Sequence, residues 1–277
     1  MVNNTLDQKI FGWLAEDAPL GDITTNSCIT ADREITARLV AKQNGTVCGL
    51  DVFKRVFDLL DPGVKISFNV QEGGTIIVGF EIARLSGKAR SLLTGERVAL
   101  NLLQHLSGVA TKARELSSLT AGTTAKIADT RKTTPGLREL EKYAVRIGGA
   151  VNHRFSLSDG VLIKDNHIAA AGGIASAVNA ARRSAPFTLK IEVECESLSQ
   201  VKEALDAKAD IIMLDNMSAE LMTDAVKLID GRAITEASGN MGERDIREVA
   251  ATGVDIISVG ALTHSVSALD ISLKFEI

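Results

Sequence analysis

The chain has 277 residues, 45% of them hydrophobic, and a formal net charge of −4, so it can bury a large core either as one barrel or as two domains. The net negative charge argues against a nucleic-acid or anionic-membrane binder, because such proteins present a broad basic face. No stretch approaches the ~20 apolar residues that cross a bilayer, and the N-terminus MVNNTLDQKIFGW lacks the charged and apolar regions of a signal peptide, so we expect a cytoplasmic protein.

Residues 1–110 predict an N-terminal α/β sandwich domain of the α+β type. The first helix is predicted over 6–17, and the stretch 33–60 has the pattern of a strand, a turn and a helix. Two further β patterns cover 64–70 and 75–89, with the turn EGG between them. Strands and helices that follow one another in this way indicate a layered domain rather than a helical bundle.

A second domain is predicted at 111–277, and a long helix over 91–119 bridges the two domains. In the second domain, short runs rich in Ile and Val alternate with stretches of helical length, which is typical of a parallel sheet covered by helices. We expect the C-terminal segment to pack back on the N-terminal domain. The seven candidate strands cover 124–130, 149–154, 161–167, 189–194, 211–216, 233–239 and 256–261.

The end of the first of these strands favours a barrel over an open sheet. An open doubly wound sheet usually carries a glycine-rich dinucleotide turn there, whereas this chain has Thr130, Arg131 and Lys132. In an α/β barrel the site lies at the carboxyl ends of the strands. The polar residues at the other strand ends are His153, Arg154, Lys164, Asp165, Glu194, Asp215, Asn216, Ser238, Gly239, Asn240, Gly260 and Ala261.

Neighbouring cations at a strand end predict a small anionic ligand. The planar fork of Arg131 suits bidentate carboxylate or phosphate recognition, and Lys132 adds a mobile point charge. His153 is interpreted as functional because it adjoins Arg154, whereas His105 and His264 are interpreted as structural, since no HExxH spacing indicates zinc. The glycines and serines of EASGN and GALTHS predict a phosphate site.

Some polar residues leave two interpretations open. Lys190, Glu192 and Glu194 alternate along one strand and share a face, so Lys190 and Glu192 either form an interior ion cluster or belong to the site, while Glu194 at the strand end is interpreted as functional. His167 is either a site residue or a hydrogen-bonded support. The chain has three cysteines without CxxC spacing, and we expect them to be buried, inert thiols.

Several long motifs closely resemble those of the quinolinate phosphoribosyltransferase family. They are EDAPLGDITT, ERVALNLLQHLSGVAT, DTRKTTPGLR, VLIKDNH, EASGN and GALTHS, with IEVE and LDN between them and LDISL near the end. The resemblance runs along nearly the whole chain. The chain departs from the family at Ala150, where a third glycine is frequent, and in EDAPLGDITT, which lacks a glycine often seen before GDIT; neither departure touches a charged position.

The resemblance implies an N-terminal α/β sandwich and an incomplete seven-stranded α/β barrel, assembled as a homodimer and sometimes further, in which Arg97 enters the neighbouring subunit's site. It implies that the substrates are quinolinate and phosphoribosyl pyrophosphate. The residues implied to hold quinolinate and part of the second substrate are Thr130, Arg131, Lys132, His153, Arg154 and Lys164. Glu194 and Asp215 would face the ribose hydroxyls and a Mg²⁺ ion, and the 5-phosphate would bind at Ser238, Gly239, Asn240, Gly260 and Ala261.

The implied reaction gives nicotinate mononucleotide, pyrophosphate and CO₂ for NAD biosynthesis. Its catalytic residues would be Lys132, Lys164, Glu194 and Asp215, and either lysine could protonate the ring carbon. We expect no organic cofactor, because the alkylated pyridinium itself accepts the electrons that decarboxylation releases.

Three other functions are alternatives to this transferase. A paralogue associated with molybdenum transport usually has an altered VLIKDNH segment, which is intact here. A Schiff-base aldolase would use Lys164 or Lys190. A non-catalytic anion-binding barrel would have no use for Glu194 and Asp215 facing its ligand, so we favour the transferase.

Overall fold

The computed structural model describes residues 4–276, which form two units. The first unit contains the residues up to Thr111 together with the segment from Val266, and the second runs from Lys112 to Ser265. Residues 1–3, which belong to the segment used for the signal-peptide prediction, and residue 277 lie outside the described residues. Within the described part, no helix is long and apolar enough to cross a membrane.

The first unit follows the predicted mixture of helices and antiparallel strands. The helix predicted over 6–17 is confirmed, and so is the long helix predicted over 91–119. The elements of this unit before the second are α1 (Asn4–Asp17), α2 (Ile23–Cys28), β1 (Glu34–Ala41), β2 (Gly45–Thr46), α3 (Leu50–Leu60), β3 (Lys65–Phe68), β4 (Thr75–Ile76), β5 (Glu81–Lys88) and α4 (Ala89–Leu119), and the boundary between the units falls within α4.

The second unit is built on a six-stranded parallel sheet with the strand order β6-β11-β10-β9-β8-β7. This arrangement confirms the α/β class and the incomplete barrel. The elements are β6 (Lys126–Ala128), α5 (Arg138–Ile147), β7 (Val161–Ile163), α6 (Asp165–Ala171), α7 (Ile174–Ser184), β8 (Ile191–Cys195), α8 (Leu198–Asp206), β9 (Ile211–Asp215), α9 (Ala219–Ile229), β10 (Ile234–Ser238), α10 (Ile246–Ala251), β11 (Ile256–Ser258) and α11 (Ala261–His264), and the chain then returns to the first unit as β12 (Ile271–Glu276).

The prediction of a strand over 149–154 is wrong. In this segment Val151 makes a single parallel bridge with Ala128, and no strand forms. The physical reason is that the next two residues bond to a side chain instead of a neighbouring strand. Asn152 Nδ2 donates to Asp129 Oδ2 at 2.6 Å, and the backbone N–H of His153 donates to Asp129 Oδ1 at 2.8 Å.

The cysteines are only partly as expected. Cys48 and Cys195 are buried, and burial raises the pKa of the Cys195 thiol to about 12, as expected for an inert thiol. Cys28 is exposed at the end of α2, so the expectation of burial is wrong for this residue. It falls outside the apolar face of any long helix or strand, which leaves it in solvent. All three are free of disulfides.

The last strand completes the sheet of the first unit, whose order is β12-β1-β5-β3. Its antiparallel register with β1 runs from Thr36 opposite Glu276 to Ala41 opposite Ile271. The segment that leads into β12 is fixed on α4, because the Gln104 side chain donates to the Ile271 carbonyl at 2.6 Å. Helix α4 thus orients the returning chain for pairing with β1.

Helix α4 approaches this returning segment closely at Gly108, where a Cβ atom would lie 2.2 Å from the backbone oxygen of Ser267. We expect Gly108→Ala to lower the free energy of unfolding by about 1–3 kcal/mol, because the backbone must move to admit the methyl group. Gly12→Ala is the matched control, since a Cβ there meets no atom within 4 Å and should stabilise helix α1 by up to about 1 kcal/mol. Urea unfolding of both variants gives the comparison; a neutral Gly108→Ala would contradict the close approach.

Candidate active site

A cavity of about 830 Å³ lies in the second unit, at the carboxyl ends of the parallel strands. The site residues predicted in this unit meet there although they come from seven separate strand ends or loops. Those that line the cavity are Thr130, Arg131, Lys132, His153, Arg154, Lys164, Glu194, Asp215, Ser238, Gly239, Asn240, Gly260 and Ala261. Arg97 belongs to the first unit, where it is exposed on α4. Asp165 is exposed at the start of α6 and does not line the cavity.

Arg131 and Lys132 follow β6, and the backbone at this point is fixed from two sides. The Lys132 N–H donates to Thr130 Oγ1 at 3.0 Å, and the Thr263 hydroxyl donates to the Lys132 carbonyl at 2.7 Å. Among the described residues, the buried Nε of Arg131 has no hydrogen-bond partner. A buried guanidinium nitrogen without an acceptor is costly in free energy, so this site is built for an anionic ligand.

Arg154 lies close enough to Arg131 for their charges to interact. Burial lowers the pKa of Arg154, and the positive charge of Arg131 lowers it further. Its Nη1 donates to the Gly160 carbonyl at 2.9 Å, a neutral acceptor that leaves the charge uncompensated. Two guanidinium groups that repel each other at the edge of one cavity are stabilised when a carboxylate or phosphate binds between them.

The loop after Arg154 is held by Asp159. Its carboxylate accepts the N–H groups of Phe155 and Ser156, each at 2.6 Å, and the Ser156 hydroxyl at 2.7 Å. The Ser156 hydroxyl contributes most to lowering the pKa of Asp159 to about 2, and the backbone N–H groups add to it. Arg154 therefore stands next to a pre-ordered turn rather than on a flexible loop.

Behind these cations lies a fully buried ion pair between Lys142 of α5 and Asp129. Lys142 Nζ donates to Asp129 Oδ1 at 2.5 Å and to the His153 carbonyl at 3.0 Å. The Asn152 side chain donates to the other Asp129 oxygen and to the Lys142 carbonyl. Burial raises the pKa of Asp129 and lowers that of Lys142, so each charge depends on the other for its stability.

Lys164 and Glu194 form an ion pair at the ends of β7 and β8. The Lys164 side chain is 44% exposed and that of Glu194 is 13% exposed, so the pair faces the cavity. His167, whose role the sequence left open, accepts the Lys164 N–H through Nδ1 at 3.0 Å and caps the start of α6. It supports the backbone of Lys164 and does not line the cavity.

The ends of β9 and β10 turn sharply and are joined by the Asn216 N–H, which donates to the Ser238 carbonyl at 3.0 Å. Gly239 has φ of +97°, and Asn240 and Asn216 also lie in the left-handed region. A Cβ at Gly239 would lie 2.2 Å from Asn216 Oδ1, so only glycine fits this turn. Asp215, which ends β9, accepts the Asn216 amide at 2.6 Å and faces the same cavity.

A cluster of His153 and two buried glutamates was predicted only in part, because Glu236 was not among the predicted site residues. Glu192 of β8 and Glu236 of β10 are both 3% exposed, and both approach the ring of His153. Burial, together with the negative charge of Glu192, raises the pKa of Glu236 to about 8. Lys190 is exposed just before β8, so the possibility of an interior cluster that includes Lys190 is wrong, and Glu192 instead lies 3.1 Å from Nε2 of His153.

His153 has a protein partner for each ring nitrogen. Nε2 lies 3.1 Å from Glu192 Oε2 and 3.5 Å from Glu236 Oε2, and Nδ1 accepts the Arg154 N–H at 2.7 Å. Burial lowers the pKa of His153, but the hydrogen bond to Glu192 and the charges of both glutamates outweigh burial and raise it overall.

The lining also includes residues that the sequence interpretation did not assign to the site. His264, interpreted as structural, lines the cavity, and its Nδ1 lies 2.5 Å from the Ser265 hydroxyl. The GALTHS motif after the last barrel strand was the available signal for it. Lys112 lies in α4, before the first barrel strand, so the position of polar residues at strand ends could not predict it. Asn216 and Ser265, which the sequence did point to, also line the cavity, and the further lining residues are Leu162, Met213, Met241, Gly242, Glu243 and Ser258.

Comparison with known proteins gives matches along nearly the whole chain. The model described as the quinolinate phosphoribosyl transferase N-terminal domain matches residues 22–107, and the model of the C-terminal domain matches residues 109–274. The chain is 46% identical over 272 residues to a protein of Synechocystis sp. named probable nicotinate-nucleotide pyrophosphorylase (carboxylating), which covers 97% of this chain and 92% of the relative.

A second relative and a solved structure agree with this match. A Bacillus subtilis protein of the same name is 47% identical over 258 residues, covering 93% of this chain and 89% of the relative. The structure of the nicotinate-nucleotide pyrophosphorylase from Francisella tularensis superposes with a TM-score of 0.95 at 40% identity, covering 100% of this chain and 98% of that one.

The buried ion pair gives a stability prediction. Lys142→Met leaves the Asp129 carboxylate buried without its counter-charge, so we expect the free energy of unfolding to fall by about 3–5 kcal/mol. Lys202→Met is the control, because Lys202 pairs with Asp206 on an exposed helix face and its loss should change stability by at most about 1 kcal/mol. Urea unfolding followed by circular dichroism measures both, and equal losses would contradict the importance assigned to the buried pair.

The raised pKa of Glu236 predicts how stability changes with pH. A folded-state pKa of about 8 lies above the ordinary value of 4.5, so the folded protein binds the extra proton and the free energy of unfolding falls as the pH rises through this range. Glu236→Gln removes this titration, and its Tm should fall less steeply than that of the parent protein between those pH values. Glu248→Gln, at an exposed position on α10, should follow the parent. Scanning calorimetry tests the prediction, which fails if all three slopes coincide.

Proposed function

The chain belongs to the quinolinate phosphoribosyltransferase family, and we propose that the cavity of its second unit transfers the phosphoribosyl group of phosphoribosyl pyrophosphate to quinolinate, with loss of pyrophosphate and CO₂. The product is nicotinate mononucleotide, an intermediate of NAD biosynthesis. The observation that carries the proposal is the convergence of four cationic side chains on one cavity in a chain of net negative charge. These are Arg131, Lys132, Arg154 and Lys164.

The first requirement of this reaction is to hold two anionic substrates together. Arg131 and Arg154 lie near each other and have no carboxylate partner among their hydrogen bonds, so they can bind the carboxylates of quinolinate. Charge-assisted bonds to guanidinium groups are stronger than neutral ones and fix the plane of the ring. His153 lines the same part of the cavity, and a contact between its ring nitrogens and a ligand would have to replace one of their present partners.

The phosphate end of the second substrate is assigned to the ends of β10 and β11. Ser238, Gly239 and Asn240 follow one strand, and Gly260 and Ala261 follow the next. Gly239 has a left-handed conformation and no side chain, which suits the close approach of a 5-phosphate to the backbone. The side chain of Lys132 passes over Gly260 and supplies positive charge to the same end.

A Mg²⁺ ion fits the carboxylates that face the cavity. Glu194 and Asp215 supply oxygen donors, which hard cations prefer, and they end the neighbouring strands β8 and β9. When bound with the pyrophosphate, Mg²⁺ supplies charge neutralisation for the leaving group. Glu194 is paired with Lys164 in this structure, so this lysine can orient the carboxylate or take up the pyrophosphate when the pair separates.

The chemical step proceeds through a ribosyl carbon with oxocarbenium character once pyrophosphate departs. Glu194 and Asp215 stabilise positive charge that develops at this carbon, while the cations hold the quinolinate ring nitrogen in position to attack it. The pyridinium then accepts the electron pair of the C–C bond as CO₂ leaves, which is why we propose no organic cofactor. Lys132 or Lys164 then delivers a proton to the ring carbon.

Assembly and location remain predictions from the sequence. We propose a homodimer in which Arg97 of one subunit completes the site of its neighbour. Such dimers sometimes assemble further into larger oligomers. The exposed position of Arg97 on α4 supports this role, because its guanidinium is open to a second chain. We also propose a cytoplasmic location and partners that are small molecules rather than nucleic acid or membrane.

The proposed function is tested by incubating the protein with quinolinate, phosphoribosyl pyrophosphate and Mg²⁺ and measuring CO₂ and nicotinate mononucleotide. Arg131→Ala and Arg154→Ala should each weaken quinolinate binding by roughly ten- to a hundredfold, since each loses a charged hydrogen bond worth about 1.5–3 kcal/mol. Arg183→Ala, at an exposed position of α7, serves as the control and should bind normally.

Three outcomes would contradict the proposal or one of its residue assignments. Quinolinate that binds tightly without release of CO₂ would indicate a non-catalytic anion-binding barrel. Unchanged quinolinate affinity in Arg131→Ala and Arg154→Ala, with both variants folded, would remove the assignment of the carboxylate-binding residues. Trapping of a carbonyl substrate by borohydride on Lys164 would instead favour the aldolase alternative.

A further inference from the structure

Two buried glutamates that contact His153, of which Glu236 lines the cavity, have no part in the reaction proposed above. Glu192 on β8 and Glu236 on β10 lie on either side of β9, and each is 3% exposed. Their Oε1 atoms are buried and, in the part of the chain that the structure describes, have no hydrogen-bond partner. Burying two carboxylates in this way is unfavourable, so their contact with His153 needs an explanation in terms of the site.

The two nitrogens of the His153 ring have opposite hydrogen-bonding roles. Nδ1 accepts the backbone N–H of Arg154 at 2.7 Å, so Nδ1 carries no proton. The ring proton therefore lies on Nε2, which is 3.1 Å from Glu192 Oε2 and 3.5 Å from Glu236 Oε2. A proton on Nδ1, as in an imidazolium ring, would face the Arg154 N–H and break this contact.

The same contact links the glutamates to a substrate-binding residue. The peptide between His153 and Arg154 is already held at its carbonyl, because the His153 carbonyl accepts a hydrogen bond from Lys142. The His153 ring holds the N–H of the same peptide, which belongs to Arg154, whose side chain lines the cavity. A rotation of the ring would leave this N–H without an acceptor and the peptide held only through its carbonyl.

We propose that Glu192 and Glu236 are positioning residues, which hold the His153 ring with its proton on Nε2 and thereby aim Arg154 at the carboxylated substrate. The inference rests on the proposed function for the identity of that substrate. The tautomer of His153 does not depend on it and is measured without turnover.

A divalent metal ion is the principal alternative occupant of this cluster. The ligand atoms of His153, Glu192 and Glu236 all lie within 4.8 Å of one another. A histidine that binds a metal normally donates a proton from its other ring nitrogen to a carbonyl or carboxylate. Here that nitrogen accepts a hydrogen bond from the Arg154 backbone N–H, so a metal at Nε2 would have to displace the last proton of the ring. The geometry therefore favours a proton over a metal at this position.

The first test is ¹⁵N NMR of the imidazole rings. The chain has four histidines, so His153 is assigned by the signal that is lost in His153→Asn. We expect a neutral ring with the proton on Nε2 in the parent protein and a mixture of tautomers in Glu192→Ala. Glu192→Gln retains an oxygen acceptor for the Nε2–H and should restore the single tautomer.

The second test is steady-state kinetics with both substrates. Glu192→Ala should raise the KM for quinolinate on the order of tenfold or more through misplacement of Arg154, while the KM for phosphoribosyl pyrophosphate changes much less. Glu192→Gln should recover most of this loss. Glu196→Ala, at an exposed position just after β8, is the matched control and should leave both KM values unchanged.

The inference is overturned by an imidazolium or Nδ1-protonated ring in the parent protein. It is also overturned if Zn²⁺ or Mn²⁺ added alone binds stoichiometrically and shifts the His153 signals, or if Glu192→Ala keeps both the tautomer and the quinolinate KM. If Glu192→Ala does not fold, Glu192→Leu, which fills more of the space and also offers no acceptor, is examined by the same NMR experiment, and loss of the single Nε2–H tautomer supports the inference while its retention overturns it. Absence of turnover in the parent protein would contradict the proposed function but leave the NMR result to decide the tautomer.

Discussion

The buried ion pair between Lys142 and Asp129 is the interaction on which the arrangement of the site depends. It joins α5, the end of β6 and the segment around His153, and within the described part of the chain the Asp129 carboxylate accepts hydrogen bonds from Lys142, Asn152 and the His153 N–H alone. Because Lys142 neutralises Asp129, that carboxylate does not neutralise Arg131 two residues later. The two buried charges thus neutralise each other, and the guanidinium of Arg131 stays available for a ligand.

Two arginines and two carboxylates occupy different parts of the same cavity, and Lys164 pairs with one of these carboxylates, Glu194. Arg131 and Arg154 stand together without a carboxylate partner, whereas Glu194 and Asp215 stand at the neighbouring ends of β8 and β9. The two substrates of the family reaction differ in the same way, since one is a dicarboxylate and the other carries a ribosyl carbon that becomes positive as its pyrophosphate leaves. Glycines such as Gly239 shape the third region, where a side chain would collide with its neighbour.

The sequence allowed much of this to be predicted, and the errors have physical causes. The polar strand ends were placed correctly because parallel strands bring their carboxyl ends to one edge. The alternation of Glu192 and Glu194 indicated a shared face, and Glu236 alternates with Ser238 in the same way, so this glutamate could have been found by the same rule. The run 149–154 has the composition of a strand, but hydrogen bonds to the Asp129 side chain take the place of backbone hydrogen bonds to a neighbouring strand. A hydrophobicity pattern does not reveal which of these two kinds of hydrogen bond forms.

The pairing of β1 with β12 has a consequence for how the protein is made. Thr36 and Glu276 are bonded to each other although 240 positions separate them, and the whole second unit lies between the strands that carry them. On the ribosome, the whole second unit is synthesised before β12. The sheet that begins nearest the amino terminus is therefore the last to be finished, and one edge of β1 stays without its partner strand until β12 has been made.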